Sequence, residues 1–159
     1  MLEDALGLIA GSWPAEALKT SRIVYPLVNA VHILSFATLF GAIAVLDLAI
    51  LARARRAFVL PLTRFVPPIA GAGLCAALLS GFVLFSVQPF DYAANPAFRL
   101  KLVLVAAGLC HVAVLRLTPS FRRMRETGIA TAGLVASAGL SLGIWTAAIV
   151  AGRFIAFLA

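Results

Sequence analysis

At 159 residues, 63% of them hydrophobic and only 12% charged, with a mean hydropathy of +1.07, the chain carries more apolar surface than a soluble domain of its length can hide. Its net charge of +7 gathers at the ends of apolar stretches, which points to membrane topology and away from nucleic acid. Four such stretches, residues 23–51, 67–88, 100–118 and 128–150, come up to the roughly 20 residues that cross a hydrocarbon core. In lipid each must pair its backbone internally, so the expected fold is all-α: an integral membrane four-helix bundle forming one domain over residues 1–159.

Residues 2–19 read LEDALGLIAGSWPAEALK, with Glu3 and Asp4 where a signal peptide would be basic. They predict no cleavable leader but a short interfacial helix, interrupted at Trp13-Pro14. The first apolar stretch opens on TSRIVYPLVN, where Tyr25 suits an interface and Pro26 a first turn, and closes on an arginine cluster. Pro67-Pro68 is expected to open the second stretch and Gln88-Pro89 to close it. Asn95-Pro96 leads into the third, which Thr118-Pro119 ends. The fourth carries Gly133, Gly139, Gly143, Ala136, Ser137 and Ser141, and the second carries Gly71, Gly73, Ala76, Ala77, Ser80 and Gly81; both are small enough for close helix packing, and the fourth suits a homodimer. Short loops predict that helices consecutive in sequence are antiparallel neighbours.

Eight of the 13 basic residues, Arg53, Arg55, Arg56, Arg64, Arg116, Arg122, Arg123 and Arg125, fall on one side. The positive-inside rule makes that side cytoplasmic, with both termini and the loop QPFDYAANPAFR in the periplasm of a bacterial inner membrane. Cys75 and Cys110 lack a CxxC spacing and are expected to be buried, inert thiols. Met1 and Met124, the only methionines, are expected outside the helices, which argues against a copper carrier.

The two histidines raise the functional question. His32 lies in VNAVHILSFATLFG and His111 in GLCHVAVLRL, ten residues after Arg22 and Lys101 respectively. If those basic residues mark one level, each imidazole sits about 15 Å below it. A shared depth is what two axial ligands of one haem require. Arg22, Arg99 and Lys101 are then candidate partners for haem propionates, and Asn29 a candidate to orient His32. Gly108, Ser35 and Phe36 suit a close-packed pocket wall. The other readings open at this point are a histidine hydrogen-bonded across helices, His32 to Ser or Asn partners, and a proton relay. Asp47 is expected to pair with Arg53, Arg56 or a residue of the other cytoplasmic loop, with a role in proton or cation passage as the alternative. No Ser-His-Asp set, phosphate loop or carboxylate pair occurs, which removes support for hydrolase and nucleotide-driven chemistry.

The stretches YPLVNAVHILSFATLFGAIAVLDLAIL and SGFVLFSVQPFDYAANPAFRLKLVLVAAGLCHVAVL resemble an uncharacterised bacterial family of small four-helix inner-membrane proteins. The matching positions are His32, Gly41, Asp47-Leu48, Tyr92, Asn95, Phe98 and Lys101. More distantly, KLVLVAAGLCH with the first-stretch histidine is similar to the HemJ-like protoporphyrinogen oxidases and to CopD-like membrane domains. The HemJ-like resemblance implies haem b and gives importance to His32, Lys101 and His111, although LDLAIL replaces that family's aromatic and Pro-Arg pattern. The expected function is therefore a b-type cytochrome-like protein with haem between His32 and His111. It would pass electrons to a quinone or a periplasmic redox protein, as a haem-dependent membrane oxidoreductase. The alternatives are a haem-free proton-coupled transporter and a structural membrane subunit.

Overall fold

The computed structural model describes residues 1–158, and among them every regular element is helical. The elements are α1 (Leu2–Ala10), α2 (Trp13–Thr20), α3 (Val24–Leu51), α4 (Arg56–Phe85), α5 (Pro89–Ala94), α6 (Pro96–Leu117), α7 (Pro119–Thr127) and α8 (Ala132–Phe154), with a closing 3-10 turn at Ile155–Phe157. Four of them, α3, α4, α6 and α8, are long and apolar enough to cross a membrane. The chain is an all-α membrane protein. Most of its large exposed side chains are apolar, Leu34, Leu79, Val103 and Leu140 among them, which suits surfaces turned to lipid.

The spans differ from their predicted limits most at α4. The helix starts at Arg56, eleven residues ahead of Pro67, and contains Pro61, Pro67 and Pro68. Each proline removes one backbone donor, leaving the carbonyls of Ala57, Thr63 and Arg64 without their usual helical partners. Within a membrane bundle, neighbouring helices and hydroxyls tolerate such breaks. Proline therefore does not mark the beginning of this span. The punctuation read elsewhere does hold: Asn95 Oδ1 accepts from the Ala97 and Phe98 amides at 2.9 and 3.2 Å to cap α6, and Thr118 caps α7. Asn95 Nδ2 also donates to the Ile155 carbonyl at 3.1 Å, tying the start of α6 to the end of α8.

Packing follows chain order for two of the three consecutive pairs of spans. α3 lies along α4, α6 along α8, and α3 along α8, while α4 and α6 are not paired along their lengths. They meet at their ends. At one end Phe85 of α4 stacks on Phe98 of α6, ring centroids 5.4 Å apart, with Tyr92 of α5 beside both. At the other end α7 packs on α4 and α6. These are called the tyrosine end and the arginine end below. The consecutive-neighbour expectation holds for α3 with α4 and for α6 with α8, and fails for α4 and α6, which α5 joins at one end.

The packed core lies at the arginine end, where Leu46, Ile50, Val66, Phe121, Met124, Leu134 and Ala138 form one cluster. Met124, expected outside the four apolar stretches, is so placed, as a fully buried residue of α7. Gly128 ends α7 in the left-handed region at φ 69°, and a Cβ there would also lie 2.7 Å from the Arg56 side chain, so both conformation and space call for glycine.

The long α3–α4 contact depends on Gly73. A Cβ on this residue would lie 2.8 Å from the Leu39 amide nitrogen and 2.9 Å from the Ser35 carbonyl oxygen. Backbone cannot step aside as a side chain can. Gly73→Ala is expected to force the two helices apart and destabilise the fold by about 1–3 kcal/mol, the usual range for overpacking. Gly71→Ala, which meets open space, should cost nothing measurable in the same thermal melt in detergent.

Candidate functional site

His32 leans from α3 towards α4. Its Nδ1 is 3.0 Å from the Ala77 carbonyl oxygen and 3.1 Å from the Ser80 hydroxyl. A carbonyl only accepts, so the ring proton is assigned to Nδ1, from which it is donated to Ala77. Ser80 donates its own proton to the Ala76 carbonyl at 2.6 Å and so turns oxygen lone pairs towards the same N–H. Nε2 is then a bare acceptor. Lys101 of α6 meets it there, Nζ to Nε2 3.4 Å. The lysine ammonium also lies 5.5 Å from the centroid of Phe36, one turn beyond His32. Two glycines make room for the pair. A Cβ at Gly81 would be 2.9 Å from the His32 ring, and one at Gly152 would be 3.3 Å from Lys101 Nζ.

The helix α8 serves as a ruler for depth. Gly152 touches Lys101, Trp145 touches Phe36 and Gly108, Ser141 is approached by Asp47, and Ser137 receives His111, with Nε2 to Oγ 2.9 Å. From Gly152 to Ser137 is fifteen residues, about 22 Å of helix. Along α6, Lys101 and His111 are ten residues apart, about 15 Å. His32 therefore lies at the level of Lys101, and His111 lies far towards the arginine end, facing α8. The two histidines do not share a depth. The reason is Lys101: its side chain does not extend to the water boundary but turns inward to the level of His32. Gly108, read as a haem-pocket wall, is instead filled by the Trp145 ring, 2.8 Å from where its Cβ would be.

The remaining sequence candidates scatter. Arg99 donates through Nε to the Ala93 carbonyl at 2.6 Å and stays on the exposed surface of the tyrosine end. Arg22 precedes α3, and neither it nor Asn29 hydrogen-bonds to His32. Cys75 and Cys110, expected to be buried, are both exposed on the outer faces of their helices. The alternative expectation, that His32 bonds across helices to Ser or Asn, is met by Ser80, and His111 makes a like contact with Ser137.

Asp47 differs most from its expected role. It is 8% exposed, and no arginine reaches it. Among the described residues the one ion pair joins the Met1 amino group to Asp4. Asp47 Oδ2 is buried with no hydrogen-bond partner. The expected Arg53 or Arg56 pairing fails because α3 ends at Leu51 and Arg53 turns the chain in the left-handed region, beyond the level of the carboxyl. Residues missed by sequence reasoning are Ser80, Ser141 and Trp145. The first two stood in runs of small residues that packing already explained.

These groups define a four-span helical membrane protein with an amine–imidazole pair near one end and an unpaired carboxyl towards the other. Compared with protein-family models, with curated proteins and with solved structures, the chain gives no match.

At the tyrosine end, outside the spans, burial pushes the Tyr92 phenol from its ordinary value of about 10 up to about 12, with the neighbouring Tyr25 hydroxyl adding to the rise. A raised acid favours its neutral form in the folded state. Its contribution to stability is therefore complete below about pH 10 and is lost as pH rises towards 12. Tyr25→Phe leaves Tyr92 as the only tyrosine. Its phenolate absorbance should then titrate below the wild-type midpoint but still above pH 10, because burial is the larger cause. A midpoint at or below 10 would mean the phenol stands in water.

Proposed function

We propose that the chain is a haem-free, multi-pass, proton-coupled transport protein, in which Lys101 and His32 exchange a proton near one membrane face and Asp47 carries it near the other. Charged or titratable groups within a span are costly, and their usual justification is a substrate or proton path. The observation that carries this reading is Asp47: a carboxyl inside the bundle, with an oxygen lacking any partner and no cation near it. An oxygen so placed is costly to bury without a partner. Lys101 and His32 supply the complementary pair. The amine donates to the bare Nε2, and a proton moving across that bond leaves a neutral amine and an imidazolium whose Nδ1–H is already held by Ala77 and Ser80.

The bis-histidine haem of the sequence reading requires two imidazoles facing one another at one level. Here both ring nitrogens of His32 are engaged, and His111 is bonded to a different helix at a different depth. These residues as arranged do not fit a shared iron, so no step is routed through haem. We orient the protein by its arginines, with the arginine end in the cytoplasm and the tyrosine end, bearing both termini, in the periplasm of a bacterial inner membrane. The HemJ-like resemblance singles out His32 and Lys101 together, and their contact accords with a joint role, though not with the bis-histidine arrangement.

The test is proton uptake into liposomes containing the purified protein, driven by a potassium diffusion potential and read by an entrapped pH dye. Asp47→Asn and Lys101→Met are each expected to cut the protein-dependent flux at least tenfold, while His111→Ala changes it less than twofold. Wild-type flux equal to that of empty liposomes would overturn the reading. So would a Soret band on the folded protein that disappears in His32→Ala. That result would restore a haem-dependent oxidoreductase with quinone or a periplasmic protein as electron partner.

A further inference from the structure

We infer that Trp145, seated against Phe36 and Gly108, is the barrier that separates the Lys101–His32 pair from Asp47. This rests on the proton-passing reading of those groups and adds to it the residue that controls passage.

The ruler of α8 places the indole between the two polar levels. Trp145 is seven residues from Gly152, which touches Lys101, and four from Ser141, beside Asp47. Those spacings correspond to about 10 Å and about 6 Å of helix. Its side chain is 3% exposed and spans the interior from α8 to both other helices. On α3 it meets Phe36 edge to face, centroids 6.2 Å apart at 65°. On α6 its six-membered ring lies over Gly108: a Cβ there would be 2.8 Å from Cζ2 and 3.2 Å from Cη2. Any larger residue at 108 would push the ring out of this seat.

The layers above and below give the seat its significance. Phe36 carries the Lys101 ammonium over its ring on one side, and Trp145 carries Ser141 one turn away on the other. A proton passing from His32 to Asp47 must therefore cross an aromatic layer. An apolar constriction of this kind stops passage by excluding water, and it opens when the side chain leaves. The glycine at 108 makes the closed seat attainable without strain. The contact is between a ring and a side-chain-free backbone, so the ring leaves it without breaking a hydrogen bond. Packing alone would explain a tryptophan in the core. It does not by itself require that the two titratable levels lie on opposite sides of it.

Two measurements test the barrier. In the liposome assay, Trp145→Ala is expected to raise proton flux at least tenfold over wild type. Trp145→Phe, which keeps an aromatic ring and guards against loss of fold, should raise it by less. The second readout does not depend on transport. Asp47→Cys, in a background with Cys75→Ser and Cys110→Ser, is exposed to a membrane-impermeant maleimide from the tyrosine side of oriented vesicles. Labelling should be at least tenfold faster when Trp145→Ala is also present. Equal labelling with and without that change would overturn the barrier, even if Asp47→Asn abolishes flux and the transport reading stands. Faster labelling with no protein-dependent flux would leave the barrier in place and remove the transport reading.

Discussion

The contact between the Lys101 amine and the His32 ring is the constraint around which the spans are arranged. α6 packs along α8 and has little direct contact with α3, so this polar bridge is its chief link across the bundle at that level. A lysine facing lipid would have to extend to the membrane surface. Turned inward, it needs an acceptor, and it meets a histidine whose other nitrogen is committed to α4. The packing at Gly152 accommodates the amine, the helix spacing at Gly81 accommodates the imidazole, and the tautomer follows from the Ala77 carbonyl, which only accepts.

The bundle is divided by depth. Its tyrosine end combines aromatic stacking with the cationic pair. Its arginine end combines the tight apolar cluster with the buried carboxyl, and the Phe36–Trp145 layer lies between. The two levels of titratable groups are held apart by apolar side chains. In water such an arrangement would be wasteful, since solvent screens both groups. In a low-dielectric interior such groups are costly unless partnered, and the aromatic layer keeps them from partnering one another.

Legibility was uneven for physical reasons. Length and hydropathy identified all four spans, and Asn95-Pro96 and Thr118-Pro119 marked real helix starts, because capping is local. Pro67-Pro68 misled because a membrane bundle holds prolines that a soluble helix would reject. The histidines misled through the equal ten-residue spacings from Arg22 and Lys101. A sequence interval measures distance along a chain but says nothing about which way a flexible side chain turns. Asp47 was conspicuous as a carboxyl near arginines, yet proximity in sequence did not become contact once the helix ended and the chain reversed.

The amino-acid order alone determined that this is a four-span helical membrane protein with a strongly arginine-rich end, since apolar length and charge placement are properties of segments. Only the tertiary structure decided that His32 belongs with Lys101 and not with His111, that Asp47 is unpaired, and that Trp145 lies between them. Those facts depend on helix rotation and on order of packing. Both are set by how small residues such as Gly73 and Gly108 let particular faces approach, and neither is written in any one segment.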